Sequence, residues 1–191
     1  MKLLVLAAAA ALATFATLGW MGYRLLAPDR LPPSGVPAGL ISSQQLPPEE
    51  GQAVADAIMT LTLPDLAGRS QAIAQWRGKV LVVNYWASWC APCIEEMPAF
   101  SRLQARYAAQ GVQFVGIGLD DLARMQAFVA RTPVTYPLLA GDPAESQQSG
   151  LRVKGLPYTV VIDRTGRFDS SRLGRLDEAT LIPVLERLIA P

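Results

Sequence analysis

Apolar positions fall into three regimes along this chain. From Leu3 to Tyr23 there is no charged residue in 21 positions. A helix rising about 1.5 Å per residue would span about 30 Å over that length, the hydrocarbon thickness of a bilayer. Trp20 and Tyr23 stand at its far end, where amphipathic rings prefer the interface. The pattern predicts an N-terminal membrane anchor over residues 1–27. A cleavable signal segment is the competing reading, with Ala11-Leu12-Ala13 as its small-residue site. The apolar run continues through Leu18, which favours the anchor. Pro28 to Glu50 then carries six prolines among Ser, Gly and Gln, with little periodicity. Such a stretch buries too little apolar surface to offset its ordering entropy, so residues 28–59 read as a linker. The folded domain is expected over residues 60–191.

Within that domain the periods alternate. Val80–Trp86 is a β-branched apolar run, the signature of a strand buried on both faces. Ile94, Met97, Phe100, Leu103 and Tyr107 recur at helical spacing, with Pro98 expected to kink the helix. Val112 to Leu119 predicts a second buried strand. Leu122 to Ala130 predicts an amphipathic helix capped by Asp120 or Asp121. Arg131 to Gly150, with its Pro, Gly, Ser and Gln, reads as a loop. Tyr158 to Asp163 and Phe168 to Leu173 flank Arg164-Thr165-Gly166-Arg167, a hairpin signal. Asp177 to Ala190 predicts a final helix whose boundary is blurred by Pro183. The succession defines an α/β fold with a central mixed sheet flanked by helices.

Charge and composition narrow the chemistry. Seventeen basic residues against 16 acidic ones give a net charge of +1, which offers no basic stripe for nucleic acid. The chain has no histidine, so Ser-His-Asp and Cys-His catalysis, histidine metal ligands and histidine pH switching are excluded. Its two cysteines cannot complete a structural zinc site alone. No metal and no separate cofactor are therefore expected. Asp120-Asp121 reads as a helix cap in preference to a metal site.

Both cysteines fall in Trp89-Cys90-Ala91-Pro92-Cys93, directly after the buried strand and at the start of a helix. Two intervening residues let the sulfurs meet across one turn and close a small redox-active disulfide. The helix N-terminus places partial positive charge beside the first sulfur, which favours its nucleophilic thiolate. Cys90 is thus expected to be the exposed, attacking residue and Cys93 the recessed, resolving one. Pro92 is tolerated because the first turn has no intrahelical use for its N–H. A structural staple would gain little by closing so short a loop.

The segment Asn84-Tyr85-Trp86-Ala87-Ser88-Trp89-Cys90-Ala91-Pro92-Cys93-Ile94-Glu95-Glu96-Met97-Pro98 resembles the active-site segment of thioredoxin-like proteins of the TlpA/ResA type. Leu61-Thr62-Leu63-Pro64-Asp65-Leu66 and Gly155-Leu156-Pro157-Tyr158-Thr159-Val160-Val161-Ile162-Asp163 match in the same order. The resemblance implies a thioredoxin-like fold and a membrane-anchored thiol–disulfide oxidoreductase of the bacterial inner membrane, with its catalytic domain facing the periplasm. It further implies that Pro157 is a cis-proline facing the disulfide, and that the backbone of Leu156 hydrogen-bonds a client peptide in strand-like fashion. Glu96, one turn beyond Cys93, aligns with an acid thought to tune the buried thiol and move its proton. A solvated helix charge is the plainer reading of Glu96, and it suits adjacent Glu95 better. Asn84 stands where thioredoxin carries a buried acid. Trp89 fits an apolar docking surface, whereas Trp86 is equally at home in the core.

The partners so implied are disulfide-containing client proteins and a transmembrane thiol electron donor. Apocytochrome c is a family client, but Tyr158 replaces the acid often found after the cis-proline in cytochrome-maturation branches. A general protein-disulfide reductase is therefore expected. A peroxiredoxin-like peroxidase would need a Pro-x-x-x-Thr-x-x-Cys context, absent here. A copper-delivery module would need a distant His and wider Cys spacing, also absent.

Overall fold

In the computed structural model, which describes residues 46–190 except 149 and 152, helix α1 (Pro48–Thr60) leads into a short hairpin of β1 (Thr62–Pro64) and β2 (Ser70–Ala72). The central strand β3 (Val80–Trp86) is followed by α2 (Ala91–Tyr107), β4 (Val112–Gly118) and α3 (Leu122–Val129). Then come β5 (Leu138–Ala140), a short α4 (Pro143–Gln148), β6 (Tyr158–Ile162), β7 (Phe168–Leu173) and α5 (Glu178–Ile189). The five-stranded sheet has the order β5-β4-β3-β6-β7. Strand β3 runs parallel to β4 and antiparallel to β6, so the sheet is mixed as expected.

All seven residues of β3 are buried, and the period of two divides them between two cores. Leu81, Val83 and Tyr85 pack with Val54, Ala55 and Ile58 of α1. Val80 and Val82 face the other way, toward Phe100 and Leu103 of α2 and Leu181 and Leu185 of α5. Trp86, last in the strand, joins neither; it packs with the cysteines, Met97, Met125 and Phe128. The central strand therefore delivers the redox pair to its own C-terminal end.

Two sequence expectations need correction. The domain does not begin near Thr60, because α1 buries Val54, Ala55, Ile58 and Met59 against the sheet. Its prolines mark a helix start and not a tether: Pro48 occupies the first helical position, where a missing N–H costs nothing. Gly51 lets the helix approach the Phe168 ring of β7, which would collide with any Cβ there. The segment 131–150 is not a plain loop. It supplies the edge strand β5, paired with β4 through Leu139↔Ile117, and the helix α4. The final helix is the one expected: α5 runs unbroken through Pro183, capped by Asp177, whose carboxylate accepts from the Thr180 N–H at 2.8 Å.

The remaining elements agree with the sequence pattern. Helix α2 covers the expected apolar positions with Pro98 inside it, and Asp121 caps α3 by accepting from the Arg124 N–H at 3.1 Å. Gly166, at φ 88°, makes the turn between β6 and β7. The anchor over residues 1–27 and the linker up to residue 45 lie outside the described residues. Among the described residues, no helix is long and apolar enough to cross a membrane.

Candidate active site

Cys90 is the N-cap of α2 and Cys93 lies in its first turn, with Pro92 between them at the second helical position. The two form a disulfide with a Cα–Cα distance of 5.3 Å. Cys93 is wholly buried. Cys90 retains 5% of its surface, so it is not the openly exposed thiol expected from the sequence. It packs in the apolar cluster of Trp86, Ala87, Met97, Met125 and Phe128. What accessibility the pair has belongs to Cys90.

The loop before Cys90 is tied down at Ser88. Its backbone N–H donates to Asp120 Oδ2 at 3.0 Å and its hydroxyl donates to the same oxygen. Burial pulls Asp120 upward, but the hydrogen bonds from Ser88 and from the Asp121 N–H outweigh it and hold the carboxyl below its ordinary value. Asp120, read from the sequence as half of a helix cap, is thus the anchor of the active-site loop. Trp89, the next residue, projects outward with 64% of its surface exposed. Trp86 is fully buried against Phe128, with ring centroids 5.4 Å apart.

Opposite the helix, the Leu156–Pro157 peptide bond is cis. The Leu156 side chain packs against the apolar cluster that holds the two cysteines. Trp89 and Leu156 also line one surface groove of about 680 Å³. Of the expected site residues, Cys90, Cys93 and Leu156 meet in the apolar cluster, Trp89 and Leu156 meet in the groove, and Pro157 adjoins Leu156 through the cis bond.

Glu96 faces inward and keeps 1% of its surface. Asn84 Nδ2 donates to its Oε1 at 2.8 Å and the Leu176 N–H donates to its Oε2 at 2.8 Å. The second Asn84 hydrogen goes to Thr159 Oγ1 at 3.1 Å. Burial pushes the Glu96 carboxyl up to about 7; the Leu176 and Asn84 hydrogen bonds and the charges of Arg175 and Arg172 pull the other way without prevailing. Glu96 is therefore no solvated helix charge. That description fits Glu95, which forms an exposed ion pair with Arg175 at 3.0 Å. Three spacings past Cys93 on α2, Glu96 shares its helix face. Asn84 and Thr159 both stand in segments that carry a sequence signal, whereas Leu176 carries none.

A cysteine pair three residues apart at a helix start can interconvert between dithiol and disulfide, and its available chemistry is exchange with another disulfide. Set at the end of a central strand in a thioredoxin-like α/β fold, it makes this chain a thiol–disulfide oxidoreductase. The chain belongs to the Redoxin family, whose profile matches residues 50–181. It is 28% identical over 137 residues to the thiol-disulfide oxidoreductase ResA of Geobacillus thermodenitrificans, spanning 71% of this chain and 78% of that one. It is 33% identical over 114 residues to the thiol:disulfide interchange protein HelX of Rhodobacter capsulatus, spanning 59% and 62% of the two chains. Among solved structures it resembles MTB dsbF in its mixed oxidized and reduced forms, at TM-score 0.61 and 29% identity over 69% of this chain and 97% of that one. A DsbF homologue from Corynebacterium diphtheriae aligns at TM-score 0.61 and 26% identity, covering 69% and 85%.

Proposed function

We propose that this protein is a reductase of protein disulfides, held at the outer face of a bacterial inner membrane by its N-terminal apolar segment. The observation that carries the activity is the Cys90–Cys93 pair at the start of α2, in the cluster against which Leu156 packs. In the reduced enzyme the Cys90 thiolate attacks one sulfur of a client disulfide. A Cys90–client bond forms, the client's S–S bond breaks, and the second client sulfur leaves as a thiolate. Cys93 then loses its proton and attacks Cys90 Sγ, releasing the first client sulfur and closing the Cys90–Cys93 disulfide. Two electrons pass from enzyme to client. A transmembrane thiol donor returns them.

Glu96 takes the Cys93 proton in this scheme. A carboxyl poised near 7 can both accept and return a proton at neutral pH. The reducing direction is supported by what surrounds the sulfurs: Ala91-Pro92 adds no positive charge between them, and Glu96 opposes thiolate formation. No other cofactor or metal enters the cycle. Location rests on the uncharged stretch from Leu3 to Tyr23. Apocytochrome c fits as one client through the TlpA/ResA resemblance, and Tyr158 after the cis-proline speaks for a broader range.

The test is reduction of a protein disulfide by the enzyme recycled with dithiothreitol. The wild type should accelerate it, and Cys90→Ser should abolish the acceleration. Equal rates with and without enzyme would overturn the assignment.

A further inference from the structure

The groove beside the disulfide carries a charge as well as an apolar lining. Leu119, Val153 and Leu156 line it with the exposed Trp89, and Pro143 of α4 adds a wall from the segment 131–150. Lys154 is the one charged residue among the described residues that line it. Elsewhere arginines are engaged: Arg69, Arg102, Arg175 and Arg187 each meet a carboxylate within 3.0 Å. Lys154 is exposed and makes no ion pair or hydrogen bond among the described residues. It stands two residues before Leu156, whose side chain packs against the cysteine cluster.

We infer that Lys154 selects clients carrying an aspartate or glutamate about two residues from the attacked cysteine. The inference rests on the reductase reading above. A client segment lying along the loop places its cysteine near Cys90 and Leu156. Extended chain advances about 3.3 Å per residue, so the client position two residues away comes level with Lys154. An apolar residue between the two meets Trp89. Cations at that client position are repelled by Lys154 and acids are attracted. The effect is one of selection, since a partly solvated pair adds little raw affinity.

Peptides of the form X-Leu-Cys-Leu-X, with X as Asp, Ser or Lys, test this as mixed disulfides with 5-thio-2-nitrobenzoate. Cys90 attacks the peptide sulfur and the coloured thiolate leaves; Cys93 then displaces the peptide thiol, so enzyme dithiol becomes disulfide as the mixed disulfide is reduced. Each rate is divided by the same peptide's rate with dithiothreitol, which removes intrinsic reactivity. In the wild type the Asp peptide should exceed the Lys peptide about 3- to 5-fold in kcat/KM, the span of an exposed charge pair. Lys154→Gln should level the ratio, Lys154→Glu should invert it, and 0.5 M salt should shrink it through screening. Equal wild-type rates for the Asp and Lys peptides would overturn the selection by Lys154 while leaving the reductase reading intact. So would a ratio that Lys154→Glu leaves unmoved. Failure to release the thiolate from every peptide would overturn the reductase reading and the inference with it.

Discussion

Asn84 of β3 donates a 2.8 Å hydrogen bond to Glu96 of α2, joining the central strand to the helix that holds the cysteines. The carboxyl at its end is buried and raised to about 7. Its ordinary value is 4.5, so between pH 4.5 and 7 the unfolded chain releases this proton while the folded one keeps it. Stability conferred by the protonated group is complete below pH 4.5, falls as pH rises, and levels off above about 7. Relative to the non-titrating Glu96→Gln, the oxidised wild type should lose roughly 2–4 kcal/mol across that window. Denaturant unfolding of both proteins from pH 4 to 8 measures it. A difference that does not vary with pH would remove Glu96 as a buried titrating group.

Asn84→Ala should raise the Glu96 carboxyl further, because it removes a donor that favours the charged form. The loss of stability with pH should then extend above 7. The substitution should itself cost about 1–3 kcal/mol, the usual penalty for stranding a buried hydrogen-bonding group. The pH profile of unfolding in Asn84→Ala separates the two effects.

Cys93→Ser should trap a mixed disulfide between Cys90 and client, since the attacking thiol survives while the resolving one is gone. Cys90→Ser should trap none, given that Cys93 is wholly buried. Non-reducing electrophoresis followed by peptide mass mapping identifies the linked cysteine. Adducts through Cys93 would reverse the assigned roles.

The Cys90–Cys93 couple should lie near thioredoxin's, about −270 mV, and far from the roughly −120 mV of an oxidant such as DsbA. Strong oxidants stabilise the thiolate of their reduced form. Here Ala91-Pro92 supplies no charge, the chain has no histidine, and the nearest buried ionisable group on α2 is a carboxyl. Equilibration in dithiothreitol buffers, read by thiol alkylation, gives the potential. A value near the oxidant's would make this enzyme a disulfide donor.

A chain beginning at Leu46 should fold and retain thiol chemistry, whereas one beginning at Leu61 should not. The shorter chain lacks Val54, Ile58 and Met59, each worth about 1.5–3 kcal/mol of burial, against a total domain stability of about 5–15 kcal/mol. Thermal unfolding of the two truncations decides it. Equal melting temperatures would show that α1 is dispensable.

How much the sequence reveals depends on how far apart the interacting residues lie. Strand β3, the hairpin of β6 and β7, and the cysteine pair are local patterns of period, turn or spacing, and all are legible. Helix α1 was masked by Pro47 and Pro48, which look alike in a tether and at a helix start; Val54, Ala55, Ile58 and Met59 held the helical period all along. The edge strand β5 is only three residues, too short for a period. The environment of Glu96 was least accessible. Its partner Leu176 is 80 residues away and contributes a backbone N–H, which every residue but proline possesses. Thr159 stands in a legible motif, but its side-chain bond to Asn84 spans 75 residues and no local pattern links the two.

Leu156 belongs at once to the cluster around the sulfurs and to the wall of the surface groove. One side chain thus touches both the cysteine cluster and the groove. Any preference of the groove for one redox form must reappear, by the same factor, as a shift of the disulfide equilibrium when the groove is occupied. A client that seats better on the dithiol than on the disulfide would hold the enzyme in its reducing form until exchange is complete, and oxidation would then loosen its own product.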